Sequence, residues 1–334
     1  MLLYVLDSLA ACSVGRVIVV VGHGAERVTK KLQSEEPDLL LHFVEQHRQR
    51  GTGDAASVGL TAFPDDDVDA EDDDVLVLPG DTPLLRADTI AALVNAHRAN
   101  SAAATLLTAR LADPTGYGRV VRGKDDQVAR VVEQADGTPD ELEIDEINTS
   151  IYCFRRSLLV PALRRVTPEN AQGEYYLTDV VAVLHDAGHR VTAHTIDDEV
   201  EVSGVNDRLQ LAAAETELRR RTNVRWMAQG VTMVDPGRTY VDTTVSLAPD
   251  VTLFPGTILQ GQTVVGERCE IGPDTRLVDC MVGADAVVEQ SNCRDAEVGA
   301  SAVVGPYAVL GPGSSVPAGT VTGPFYAAEG PEAD

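Results

Sequence analysis

A period of six residues governs the last third of this chain. Val241, Leu247, Leu253, Leu259, Val265, Ile271 and Leu277 recur at that spacing without a gap. Four residues after each of the first six stands a β-branched or small residue: Val245, Val251, Thr257, Thr263, Cys269 and Thr275. The register slips after Leu277 and resumes at Val298, Val304 and Leu310, each followed by glycine. An α-helix repeats every 3.6 residues and a strand every two, so neither makes this pattern. A coil with three flat sides does. The spacing predicts the hexapeptide repeat of a short left-handed parallel β-helix, whose coils bury their inward residues on one another. We place it at 230–325, with a tail at 326–334. A β-helix alone can be a trimerisation scaffold with no active site, so chemistry is sought upstream.

Upstream the pattern changes. Apolar residues at helical spacing (Leu2, Leu3, Leu6, Leu9, Ala10) predict a first helix. Arg16–Gly22 reads as a buried strand ending in glycine, 25–33 as a helix, and Leu39–Val44 as a strand. Val75–Leu78 is a short apolar run halted by Pro79-Gly80, and Thr89–Arg98 is an amphipathic helix. Further strands are expected at Leu106-Leu107, Val120-Val121 and Ile151–Phe154. Strands alternating with helices imply a parallel sheet covered on both faces, an α/β Rossmann-like domain over 1–206. A linker helix over 207–229 follows, with i,i+4 pairs Glu215/Arg219 and Glu217/Arg221. The acidic run Asp65–Asp74 reads as a solvated loop.

Lys+Arg 27 against Asp+Glu 52 gives a net charge of −25, which excludes a nucleic-acid or anionic-membrane surface. It would also repel an anionic nucleotide unless a metal or local cation intervenes. Five scattered cysteines without a C-x-x-C pair suit reduced core residues of a cytosolic protein. Met1–Leu6 meets Asp7 before a secretory core could form, and no stretch reaches transmembrane length. A cytoplasmic location is expected.

Asp81 follows the Val75–Leu78 strand and its Pro79-Gly80 break, at the strand tip where α/β sheets hold ligands. A carboxylate there suits a divalent metal carrying a phosphate substrate. Equally, it could cap the helix beginning near Thr89. Gln46 and Gly51-Thr52-Gly53 lie between a strand and a small-residue helix, where glycines admit close approach and helix N–H groups are open. Gln46 carries both a donor and an acceptor, the complement of a uracil imide edge. The alternative is a plain turn. Gly118, Glu133 and Asn148 stand at strand ends, where such residues are commonly surface or turn formers. Asn206 supplies either a metal oxygen or, with Asp207, the cap of the linker helix.

Taken in order, these segments resemble one family. Gln46 with Gly51-Thr52-Gly53, Pro79-Gly80-Asp81-Thr82-Pro83-Leu84, Gly116-Tyr117-Gly118-Arg119, Val132-Glu133-Gln134, Glu146-Ile147-Asn148, Tyr176-Leu177-Thr178-Asp179 and Gly204-Val205-Asn206 are similar to motifs of GlmU. That family joins an N-acetylglucosamine-1-phosphate uridylyltransferase to a glucosamine-1-phosphate N-acetyltransferase. The resemblance spans nearly the whole chain. It implies that Gln46, Gly51 and Thr52 hold uracil, that Gly118, Glu133 and Asn148 hold the sugar, and that Asp81 and Asn206 bind Mg²⁺. Pro79 and Gly80 join the substrate site. It further implies the substrates UTP and N-acetylglucosamine-1-phosphate, a product used in cell-wall precursor synthesis, and a homotrimer. Other readings are a related nucleotidyltransferase with a different base or sugar, or a UDP-sugar-binding scaffold without catalysis.

Two departures stand out. The family opens with a strand and an L-A-A-G-x-G-T-R-M loop that cradles the triphosphate, and Val21-Gly22-His23-Gly24 does not replace it. We expect Met1 to be internal to a longer reading frame. Near the other end, Gly311 stands where the family's acetyltransferase arginine is expected. No acetyltransferase activity is anticipated.

Overall fold

The computed structural model describes residues 1–35, 39–63 and 73–330. Most of the acidic run, 65–72, and the last four residues of the expected tail lie outside them. The chain divides into Met1–Gln210 and Leu211–Asp334.

The first unit runs α1 (Leu2–Ala10), β1 (Val17–Val21), α2 (Ala25–Ser34), β2 (Leu41–Glu45), α3 (Thr52–Leu60), β3 (Asp74–Val77), α4 (Ala87–Ala99) and β4 (Ala104–Arg110). It continues through β5 (Gly118–Arg122), β6 (Val128–Val132), α5 (Pro139–Leu142), β7 (Glu146–Arg155), α6 (Arg156–Leu163), α7 (Asp179–Asp186) and β8 (Val191–Ile196). β1 and β2 form a parallel pair. The larger sheet is mixed, which corrects the all-parallel expectation. β4 and β8 are parallel, but β7 is antiparallel to β3, β4 and β5. The cause is the hairpin between β5 and β6. The chain reverses at the short turn between these antiparallel strands, and β7, entered through a loop and the single turn of α5, keeps the direction of β6.

β7 is shared. One edge takes β4 along most of its length; the other takes β5 at Ile147–Asn148 and β3 at Tyr152–Arg155. Ser150, with φ 61°, lies at the handover. The predicted strand at Ile151–Phe154 thus extends back to Glu146, so Asn148 sits within a strand instead of at its end. Its buried residues Ile151 and Cys153 pack with Val19, Val21, Leu6 and Leu93, while Tyr152 and Phe154 pack with Leu106, Leu159 and Val181. Alternation across the pleat explains the two cores.

The second unit starts in α8 (Arg208–Ala228), which spans the division between the units, and becomes a solenoid of two- and three-residue strands. They stack into three parallel sheets of six, five and five strands, consistent with a left-handed β-helix. Every residue of the hexad series is buried, and so are the positions that follow at i+4. The slip has a simple origin. Ile258 pairs with Arg276, an 18-residue coil, whereas Arg276 pairs with Asn292, a 16-residue one. Coils in the middle are shorter, so the inward series continues as Val282, Val288, Cys293 and Val298, off the strict period. Among the described residues no helix is long and apolar enough to cross a membrane.

Candidate active site

Three clusters of the first unit meet through short tethers. The first is the turn into α3. Gly51 has φ +107°, and a Cβ there would lie 2.5 Å from the Tyr175 carbonyl oxygen. Only glycine lets the backbones touch this closely. Tyr175 N–H donates to Arg50 O at 2.8 Å, Gly53 N–H donates to Tyr175 O at 2.8 Å, and Leu177 N–H donates to Thr52 Oγ1 at 3.0 Å. Gln46 is drawn onto the same loop. Its Nε2 donates to Gly51 O and to Asp54 Oδ2. With that nitrogen committed, what Gln46 offers a base is its carbonyl oxygen, an acceptor for an imide N–H, and not both halves of the pairing expected from sequence. An open cavity of about 600 Å³ adjoins it, lined by Gly22, His23, Gly24, Gln46, His47 and Gln49 among others.

The same tether reaches the second cluster. Thr178 Oγ1 donates to Glu133 Oε1 at 2.9 Å. Gly118 pairs directly with Asn148 across β5 and β7. A Cβ on Gly118 would lie 3.3 Å from Glu133 Oε2 and 3.6 Å from the Asn148 Cβ, so any larger residue would enter the space these groups surround. Asn148 Nδ2 donates to the Tyr152 hydroxyl at 2.8 Å, while its Oδ1 is buried without a hydrogen-bond partner. A buried orphan acceptor is costly unless a ligand satisfies it. Burial pushes the Glu133 carboxyl above its usual range; Asp179 and Asp136 add to this and the Thr178 hydroxyl opposes it.

The third cluster holds Asp81. β3 ends at Val77, opposite Tyr152 of β7, and β5 begins at Gly118, opposite Asn148 on the same edge of that strand. The Tyr117 phenol is raised first by burial and then by the Asp81 and Glu199 charges, which places it near that carboxylate. Val205 N–H donates to Asp81 O at 3.0 Å. A Cβ built on Gly204 would lie 3.8 Å from Asn206 Nδ2 and 3.9 Å from Asp81 Oδ2, so the two side chains flank one point. Buried Glu201 anchors this crossing by accepting from Thr89 Oγ1 and Arg86 N–H.

The capping alternatives fall away. Helix α4 begins at Ala87 with no side-chain cap, so Asp81 does not serve it. Asp207 is the residue that caps α8, accepting from Gln210 N–H while Gln210 Oε1 accepts from the amides of Asn206 and Asp207. The Asn206 side chain takes no part in the cap. Gly80 packs on Leu2, and Pro79 accepts from the Thr82 hydroxyl. Sequence reasoning missed the holders Tyr117, Tyr152, Tyr175, Thr178 and Glu201. Of these, Tyr117 and Thr178 lie inside quoted motifs, which was the available signal.

A nucleotidyl transferase family model matches residues 1–227. The bifunctional protein GlmU of Heliobacterium modesticaldum is 41% identical over 325 residues, covering 97% of this chain and 69% of that protein. GlmU of Mycobacterium marinum is 42% identical over 327 residues, covering 97% and 66%. GlmU of Mycobacterium tuberculosis is 44% identical over 328 residues, covering 97% and 65%. The chain thus spans about two thirds of the length of these relatives.

Proposed function

Since this chain belongs to the GlmU family and carries its nucleotidyl transferase domain, we propose that it is a uridylyltransferase acting on UTP and N-acetylglucosamine-1-phosphate. The products are UDP-N-acetylglucosamine and pyrophosphate. A phosphate oxygen of the sugar phosphate attacks the α-phosphorus of UTP; that P–O bond forms as the bond to the departing pyrophosphate breaks. The attacking group is already ionised, so no general base is required. Rate then comes from alignment and from stabilising charge on the phosphates.

The convergence of Asp81 with Asn206, next to the Gly118–Glu133–Asn148 pocket, is the observation that carries this reading. Asn148 Oδ1 would accept from the sugar's amide or a hydroxyl, and the Glu133 carboxyl would accept from a second hydroxyl. Thr178 holds Glu133 while Tyr152 holds Asn148, so both are oriented before substrate arrives. Gln46 Oε1 would accept from the uracil imide, with Gly51 seating the loop against Tyr175 and the Thr52 hydroxyl beside it. A carboxylate and an amide oxygen are hard donors, which fit Mg²⁺. Bound there, the ion would neutralise phosphate oxygens.

A cytoplasmic enzyme that trimerises through its β-helix is the accompanying proposal, supported by apolar residues exposed on that solenoid, among them Met281, Val309 and stacked Tyr307 and Phe325. The test is Mg²⁺-dependent pyrophosphate release from UTP with a panel of sugar phosphates. Preference for N-acetylglucosamine-1-phosphate supports the assignment. Faster turnover of glucose-1-phosphate overturns the sugar, and UDP-sugar binding without turnover selects the non-catalytic reading. A sedimentation mass of one 35.5 kDa chain would overturn the trimer.

A further inference from the structure

Away from the nucleotide site, Asp74, His97 and Cys153 meet where β3, α4 and β7 pack. One ligand atom from each lies within 4.8 Å of the others. Cys153 is fully buried and His97 is 1% exposed. The imidazole is held from behind: its Nδ1 lies 3.0 Å from Thr105 Oγ1, which in turn lies 2.9 Å from Thr192 Oγ1. Such an outer partner orients a ligating histidine and aims its second nitrogen forward. Here Nε2 is buried and faces Asp74 Oδ1 at 3.3 Å. Arg98 Nε donates to Asp74 Oδ2 at 2.6 Å, which fixes that carboxylate and leaves Oδ1 turned toward the ring.

We propose that Asp74, His97 and Cys153 form a binding site for a borderline divalent transition metal of the Zn²⁺ kind, stapling the start of β3 to α4 and β7. One sulfur, one imidazole nitrogen and one carboxylate oxygen suit such an ion, whereas Mg²⁺ asks for oxygen alone. Bonds of about 2.0–2.3 Å require the three atoms to close to roughly 3.5 Å apart, a side-chain adjustment. Uptake of the ion displaces the Cys153 thiol proton to water. The partly exposed Asp74 is the side from which an ion enters.

Co²⁺ tests this on the full chain stripped by chelator, because a cobalt–thiolate bond gives a near-ultraviolet charge-transfer band that carboxylate binding cannot. The expected result is a one-to-one titration of that band, reversed by Zn²⁺, with a raised melting temperature. His97→Gln should abolish the band and the melting shift. Cys12→Ser, which changes a thiol outside the cluster, should keep both. Absence of the band in folded wild-type chain overturns the proposal, so the result stands even where a core variant misfolds. Retention of the band in His97→Gln overturns it too.

Discussion

Gly51→Ala probes the tether that joins the two halves of the proposed substrate site. Gly51 lies at φ 107°, ψ 175°, a region essentially reserved for glycine, where another residue costs about 1–3 kcal/mol. The added methyl would also sit 2.5 Å from Tyr175 O and 2.9 Å from Tyr175 N, both backbone atoms that no rotamer change moves aside. The loop must therefore leave residues 175–177. Doing so breaks three hydrogen bonds, from Tyr175 N–H, Gly53 N–H and Leu177 N–H, at about 1 kcal/mol each. A loss of about 3 kcal/mol in the loop that would carry the base is roughly a hundredfold weaker binding. Calorimetric titration with UDP-N-acetylglucosamine reads the affinity, and hydrogen exchange at the amides of Gly53, Tyr175 and Leu177 reads the detachment. Gly15→Ala is the control, since nothing lies within 4 Å of a Cβ there. Unchanged affinity together with unchanged exchange at those amides would refute the reasoning, because the clash would then have been absorbed without moving the tether.

Asp81→Ala should lower pyrophosphate release by about 10³-fold, the equivalent of several kcal/mol of charge stabilisation, and a rate near wild type would remove Asp81 from the site. Glu133→Gln should weaken sugar-phosphate binding while raising the melting temperature at neutral pH. The sign follows from the raised carboxyl: the folded state favours protonated Glu133, a contribution present below the ordinary value of 4.5 and lost as pH rises through the folded value. Melting curves of wild type and variant should therefore approach one another on acidification; a constant gap counts against the burial argument. Leu253→Ala, at a fully buried solenoid position, should cost about 2–5 kcal/mol, read as a lower denaturant midpoint. Acetyl-CoA with glucosamine-1-phosphate should release no thiol, given Gly311 at the position resembling the family's arginine; release above background would refute this.

What sequence made legible is what the covalent chain imposes locally. The hexad follows directly from coil geometry, so Val241 through Leu277 announce the solenoid. The shortened coils between Arg276 and Asn292 do not announce themselves, because losing a residue at a corner leaves the inward side chains apolar but out of step. The same divide runs through the site. Gly118 and Asn148 are adjacent only because β7 runs antiparallel to β5, and that depends on the turn that reverses the chain between β5 and β6. No spacing rule records such a pairing. Asp81 was visible as a carboxylate after a halted strand, but its approach to Asn206 rests on the Val205–Asp81 bond and on buried Glu201, both long-range. His97 and Cys153 carried still less signal, being single apolar-face residues on different elements. Each looks like ordinary core until β3, α4 and β7 are packed. Composition and period therefore report which chemistry a chain holds, while strand order determines which of those groups share a ligand. For this chain it is β7, serving β3, β4 and β5 together, that converts scattered side chains into sites.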